Sequence, residues 1–209
     1  MGIYDRDYMG RSDRGFGGMS MTHKLLAANI AVFLVAFSAT GFGDTIGSLF
    51  VMQPKAVLGG EVWRLFTATY MHANFWGHLF FNMLALYFLG PAVEQAWGQR
   101  KFLVVYTVCG VAGNIALTLL SQVGYIAPEV IGLGASGSVL GVLGAAAVMF
   151  PRATIYLFFV FPMSLRTAAL LFTGLYILNL AGMGANYGGD VSHLVGLGIG
   201  AAAASASSR

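Results

Sequence analysis

The stretch from Glu129 to Arg152 reads EVIGLGASGSVLGVLGAAAVMFPR, with no charged residue between its two ends. A window of this length can cross a bilayer, which takes about 20 residues. Its helical part is shorter. A helix that starts near Ser136 and stops before Pro151 has about 15 residues and runs about 22 Å at 1.5 Å per residue. The hydrocarbon core is about 30 Å thick. The Ser136 end is therefore expected below one membrane surface, reached by EVIGLGA descending as irregular backbone. At that depth such backbone is tolerated only where it is buried in protein or lines a watery cavity.

The rest of the chain extends this reading. Of 209 residues, 57% are hydrophobic and 9% charged, and the mean hydropathy is +0.75. Soluble domains carry about 25% charged residues. A chain this poor in charge cannot cover a water-facing surface, so lipid is its expected solvent and partner. The net charge of +3 comes from dispersed basic residues, which argues against nucleic acid. The single cysteine, Cys109, excludes an internal disulfide. No cofactor or metal is expected. No signal peptide is evident, since the first apolar run follows about 24 polar and Gly-rich residues.

Six uncharged windows can span, giving an all-α membrane protein of six transmembrane helices. They are expected near residues 25–43, 75–96, 102–123, 135–150, 166–183 and 190–206, in a membrane domain 25–206 behind a tail 1–24. Residues 153–165 are apolar but too short to span, and Pro151 and Pro162 mark them as a surface connection. Residues 44–64 read either as an interfacial segment anchored by Trp63 or as a loop packed on helix ends. With the N-terminus in the cytoplasm, Arg6, Arg11, Arg14, Lys24, Arg100, Lys101, Arg152, Arg166 and Arg209 fall inside, and only Lys55 and Arg64 outside. This bias places both termini in the cytoplasm. Helices 2, 4 and 6 then run in parallel from outside to inside.

Under that topology His78 and Asn82, Ser136, and His193 lie at the outer ends of these three parallel helices. Polar groups in a membrane are costly and are candidate functional residues, the more so when four share one depth. Gly137, Gly141 and Gly144 follow Ser136, and Gly196 and Gly200 follow His193. Small residues let transmembrane backbones approach closely, which brings a short serine side chain within reach of an imidazole. Taken one at a time, each of these glycines reads as plain helix packing, which does not conflict with the close approach.

These residues resemble the rhomboid proteases. Gly134-Ala135-Ser136-Gly137 is similar to their G-x-S-G motif, Ser192–Gly196 to their sixth-helix histidine motif, and His78–Asn82 to their H-x-x-x-N. Trp63-Arg64 and the run Gly90, Glu94, Gly98 resemble two further family features. The resemblance implies a six-helix core and a serine endopeptidase that cuts transmembrane proteins near helix-destabilising residues. Ser136 would be the nucleophile and His193 its base. The Ser136 N–H with Asn82 and His78 would hold the oxyanion. It further implies a site open to the non-cytoplasmic side of a membrane, expected to be the bacterial inner membrane, and a protein active as a monomer.

Two departures stand out. The aromatic residue that family members often carry four positions after the serine is Leu140 here, and His72 and His78 lie six apart. His72 and His23 read as loop or interfacial residues. Asp190, three before His193, reads as the N-cap of the last helix, leaving a dyad rather than a triad. Glu61 and Arg64 are expected to pair, and Glu94 and Trp97 to mark the inner end of helix 2. The stretch 182–189 (GMGANYGG) reads as a cap over the cavity or a plain loop. For Phe81 the resemblance implies a substrate gate, and the alternative is lipid-facing packing. Two rival functions remain: a catalytically inactive relative that binds membrane helices, and a small transporter, for which no internal repeat is found.

Overall fold

The computed structural model describes residues 18–40, 45–157, 160–182 and 187–207. Most of the expected tail 1–24 and the centre of the expected cap 182–189 lie outside these residues.

The described chain is predominantly helical. In order it forms α1 (Met21–Thr40), α2 (Thr45–Ser48), α3 (Pro54–Leu58), α4 (Arg64–Thr67), a 3-10 turn (Ala68–Tyr70) and a π-turn (Phe75–Leu79) that continues as α5 (Phe80–Trp97). Then come α6 (Gln99–Gln122), α7 (Ser136–Met149), the strands β1 (Thr154–Leu157) and β2 (Phe161–Ser164), α8 (Leu165–Ala181) and α9 (Tyr187–Ser207). Phe75–Trp97 and Gln99–Gln122 are long and apolar enough to cross a bilayer, whereas Met21–Ala36, Ser136–Met149 and Leu165–Ala181 are apolar but shorter.

α7 is the central helix. Every residue from Gly137 to Ala147 is buried, as expected for a helix that is apolar all round. Its 14 residues correspond to about 21 Å. It packs against α5, α6, α8 and α9. The peripheral helices turn large apolar side chains outward, among them Leu34, Phe88, Val104, Leu119, Leu170 and Leu178. Such a surface suits lipid rather than water.

Two polar clusters hold the periphery. The buried Glu94 of α5 accepts hydrogen bonds from the backbone N–H groups of Met21 (2.6 Å) and Thr22 (2.8 Å) and from the Thr22 hydroxyl (2.6 Å). A carboxylate on one helix thus serves the unpaired donors at the start of another. In the first loop, the Arg64 guanidinium is buried. It donates to Glu61 Oε2 (2.6 Å), to the Val51 carbonyl (2.8 Å) and to the Ser48 carbonyl. The expected Glu61–Arg64 pair is therefore present, and it also fixes the loop backbone. Residues 45–67 form three short helices around this centre, with Trp63 half exposed and donating its indole N–H to the Leu49 carbonyl (3.0 Å).

Residues 153–165 differ from a featureless connection. They form an antiparallel hairpin in which Ile155 pairs with Met163 and Tyr156 with Pro162. β-Branched and aromatic residues suit a strand, and a proline is tolerated because both strands are edges.

Candidate active site

Ser136 opens α7. The descent to it is pinned by backbone bonds between Met52 and Gly132 in both directions (2.8 and 2.9 Å) and from the Gly134 N–H to the Ala68 carbonyl (2.9 Å). Gly134 adopts φ +120°, and a Cβ there would collide with the His78 imidazole. Glycine thus meets a left-handed turn and a close approach at once. The helical ladder begins with the Val139 N–H on the Ala135 carbonyl. The Ser136 N–H is therefore among those with no intrahelical acceptor, at the positive end of the helix dipole.

His193 reaches Ser136 from α9, with Nε2 2.8 Å from Oγ. Backbone contact between α7 and α9 makes this possible. A Cβ at Gly196 or Gly200 would overlap the carbonyl oxygen of Gly137 or Gly141 respectively, so no larger residue fits this spacing.

His78 sits in the π-turn, a feature frequent at functional sites. Asn74 stabilises this turn by accepting from the N–H groups of Gly77 (2.7 Å) and His78 (3.1 Å). The Ala73 N–H donates to His78 Nδ1 (3.1 Å). In the neutral imidazole this acceptor role leaves the proton on Nε2, the nitrogen that faces Gly134. Asn82, buried one turn later, donates one amide hydrogen to the His78 carbonyl (2.8 Å). An amide has a second. His78, Asn82, Ser136 and His193 all line one cavity of about 560 Å³.

The neighbouring histidine has a different position. His72 is buried, with Nδ1 3.1 Å from the Tyr70 carbonyl and its ring edge-on to His78 at 5.1 Å. Burial, reinforced by the His78 imidazole, lowers its pKa to about 4, so it is neutral at pH 7. It buttresses His78. A wider hollow of about 800 Å³ lies beyond α7, between Phe150 and Arg166. Its serine, Ser164, is engaged in capping α8.

The expectation for Asp190 needs correction. Because α9 begins at Tyr187, Asp190 lies inside its first turn rather than at the cap. It is 2% exposed. Asn179 of α8 donates an amide hydrogen to its Oδ2, and Oδ1 lies 3.5 Å from His193 Nδ1. At that distance the two are neighbours but make no hydrogen bond, and among the described residues Nδ1 has no other partner. Tyr176, one turn before Asn179, lays its ring against the imidazole, with centroids 4.7 Å apart and planes at 51°. Sequence reasoning missed Tyr176 and Asn179. The signal that could have found them is two polar-tipped residues three apart on one face near the end of a largely apolar helix.

Comparison with known proteins agrees with this architecture. A family profile described as Rhomboid domain matches residues 59–209. Rhomboid protease GluP of Bacillus subtilis is 33% identical over 131 residues, which cover 62% of this chain and 24% of that protein. Rhomboid protease AarA of Providencia stuartii is 29% identical over 156 residues, covering 66% and 54%. RHOMBOID-like protein 1 of Arabidopsis thaliana is 39% identical over 85 residues, covering 41% and 20%. The chain thus spans about half or less of the length of these relatives. With a profile match over most of its length, the chain belongs to the rhomboid family and is an integral membrane protein.

Proposed function

We propose that this chain is an intramembrane serine endopeptidase that hydrolyses peptide bonds in or near transmembrane segments of other membrane proteins. The observation that carries the reading is the 2.8 Å approach of His193 Nε2 to Ser136 Oγ in the cavity, within the reach required of a nucleophile and its base. Ser136 Oγ attacks the scissile carbonyl while His193 takes its proton. The tetrahedral oxyanion is held by the Ser136 N–H, the second amide hydrogen of Asn82 and the His78 Nε2–H. Collapse breaks the C–N bond, and His193 returns the proton to the leaving amine. Water then attacks the acyl-enzyme, with His193 again as base, and releases the acid and Ser136.

This reading includes a topology. Six helices, α1 and α5 to α9, cross the bilayer within a membrane domain 25–206, with the tail 1–24 and the C-terminus in the cytoplasm. The cavity then opens to the non-cytoplasmic side of the inner membrane. The short α7 sinks Ser136 below the surface, where a wet cavity supplies the water that hydrolysis consumes. One chain contains every group invoked, so a monomer suffices. The partners are lipid and transmembrane proteins whose helices unwind readily near the cut.

The test is labelling by a fluorophosphonate probe, together with co-expression with a panel of single-span substrates. Wild type should label and cleave, whereas Ser136→Ala and His193→Ala should do neither. Equal labelling of wild type and Ser136→Ala would leave a protein that binds membrane helices without cutting them.

A further inference from the structure

His193 has two ring nitrogens, and the reaction above uses only Nε2. Nδ1 is buried and has no hydrogen-bond partner among the described residues, which is costly for a polar atom unless a nearby group compensates. The group it faces is the Asp190 carboxylate, 3.5 Å away. That carboxylate is itself 2% exposed, so its own desolvation must be offset. Asn179 does this from α8 through the hydrogen bond to Oδ2. Tyr176, on the same side of α8, covers the ring.

We propose that Asp190, clamped by Asn179, is a positioning residue for His193. It orders the imidazole with its proton on Nδ1 at rest and stabilises the imidazolium formed when Ser136 gives up its proton. The proposal rests on the Ser136–His193 reading but adds to it, because Asp190 touches no reacting atom. The physical argument is charge. Proton transfer from Ser136 creates a cation in a site mostly withdrawn from water, and a buried anion at this distance attracts it more strongly than the same pair would attract in bulk water. A small rotation of the ring converts the 3.5 Å approach into a charge-assisted hydrogen bond. Among the described residues, the other groups around the imidazole do not supply that charge. α8 presents the Tyr176 phenol, the π-turn presents His78 and α7 presents Ser136, and α6 presents Gly113 to Ser192 beside it.

The full chain in detergent micelles is compared with Asp190→Asn, Asp190→Glu and Asn179→Ala. With only four histidines in the sequence, nitrogen-15 histidine spectra can be assigned by single substitution. The expected signature is a downfield His193 Nδ1–H resonance in wild type that moves upfield in Asp190→Asn and is partly restored in Asp190→Glu. In the cleavage assay, Asp190→Asn should lose about 10- to 100-fold in kcat with KM unchanged. The acid limb of its kcat/KM profile should move by about one pH unit toward acid. Asn179→Ala keeps the carboxylate but frees it, and should shift the resonance and the profile in the same direction by less. It carries the test if Asp190→Asn does not fold. A folded Asp190→Asn or Asn179→Ala with wild-type resonance overturns the proposal, as does an unshifted acid limb with wild-type kcat. The spectra read the His193 proton directly, whether or not the chain cleaves. Failure of the protease reading therefore shows separately, as an inert Ser136 in wild type.

Discussion

At Gly134 one residue carries two constraints: a backbone turn at φ +120° and room for the His78 ring. A left-handed conformation costs a non-glycine residue about 1–2 kcal/mol, and the methyl group of alanine would also push His78 away. Gly134→Ala is therefore expected to slow fluorophosphonate labelling and lower the melting temperature in detergent. A variant that labels at the wild-type rate would contradict the placement of His78 over this turn. Asn82→Ala removes one oxyanion donor and should cost up to about 100-fold in kcat, with little change in KM, in a substrate-cleavage assay. Not every such role is visible in a sequence. Ser136, His193, His78 and Asn82 stand out because each is a polar group in an apolar run. Asp190 also stands out, but its partner does not. Three residues before a histidine it reads as a cap, and recognising it as a neighbour of the imidazole depends on where α9 starts and how α8 is rotated. Neither can be read from local sequence.

Elements are held in register by contacts of two kinds. α7 and α9 meet backbone to backbone, so Gly200→Leu should force them apart at the level of Gly141 and pull His193 from Ser136 two turns away. The expected outcome is a lower melting temperature together with loss of probe labelling. Retention of both would mean that the glycines are dispensable to the approach. α1 and α5 instead meet through Glu94, whose three accepted hydrogen bonds serve the start of α1. Glu94→Ala strands those donors in a buried site and should destabilise the protein by about 1–3 kcal/mol, measured by thermal unfolding in detergent. The glycine stripes are legible as pattern, since small residues every four positions mark a helix contact in any membrane protein. Glu94 is legible only as a helix end. Its capping of a helix some seventy residues earlier depends on tertiary packing. The hairpin β1–β2 escapes reading for a related reason. A largely apolar segment of thirteen residues, 153–165, punctuated by Pro151 and Pro162, is too short to span and reads as staying outside the bilayer, but which short structure satisfies its backbone is not written in it.

For the whole molecule the governing quantity is the distribution of charge along the chain. A cation costs about 2.5–3.5 kcal/mol at the centre of a bilayer, so basic residues collect at helix ends, and their asymmetry sets orientation. This ties the chemistry to a side of the membrane. Ser136, His193 and Asn82 lie on elements that start at one face, and the proposed topology, argued from the positive-inside bias, puts that face outside. The arrangement can be tested without reference to catalysis, because the sole cysteine, Cys109, is buried and contributes little background to thiol labelling. Lys55 is exposed in the first loop, on the side of the cavity, and Arg152 is exposed beyond the far end of α7. In intact cells a membrane-impermeant maleimide should label Lys55→Cys and spare Arg152→Cys until the membrane is opened. The reverse pattern would turn the cavity to the cytoplasm, and with it the class of substrate segments that the site can meet.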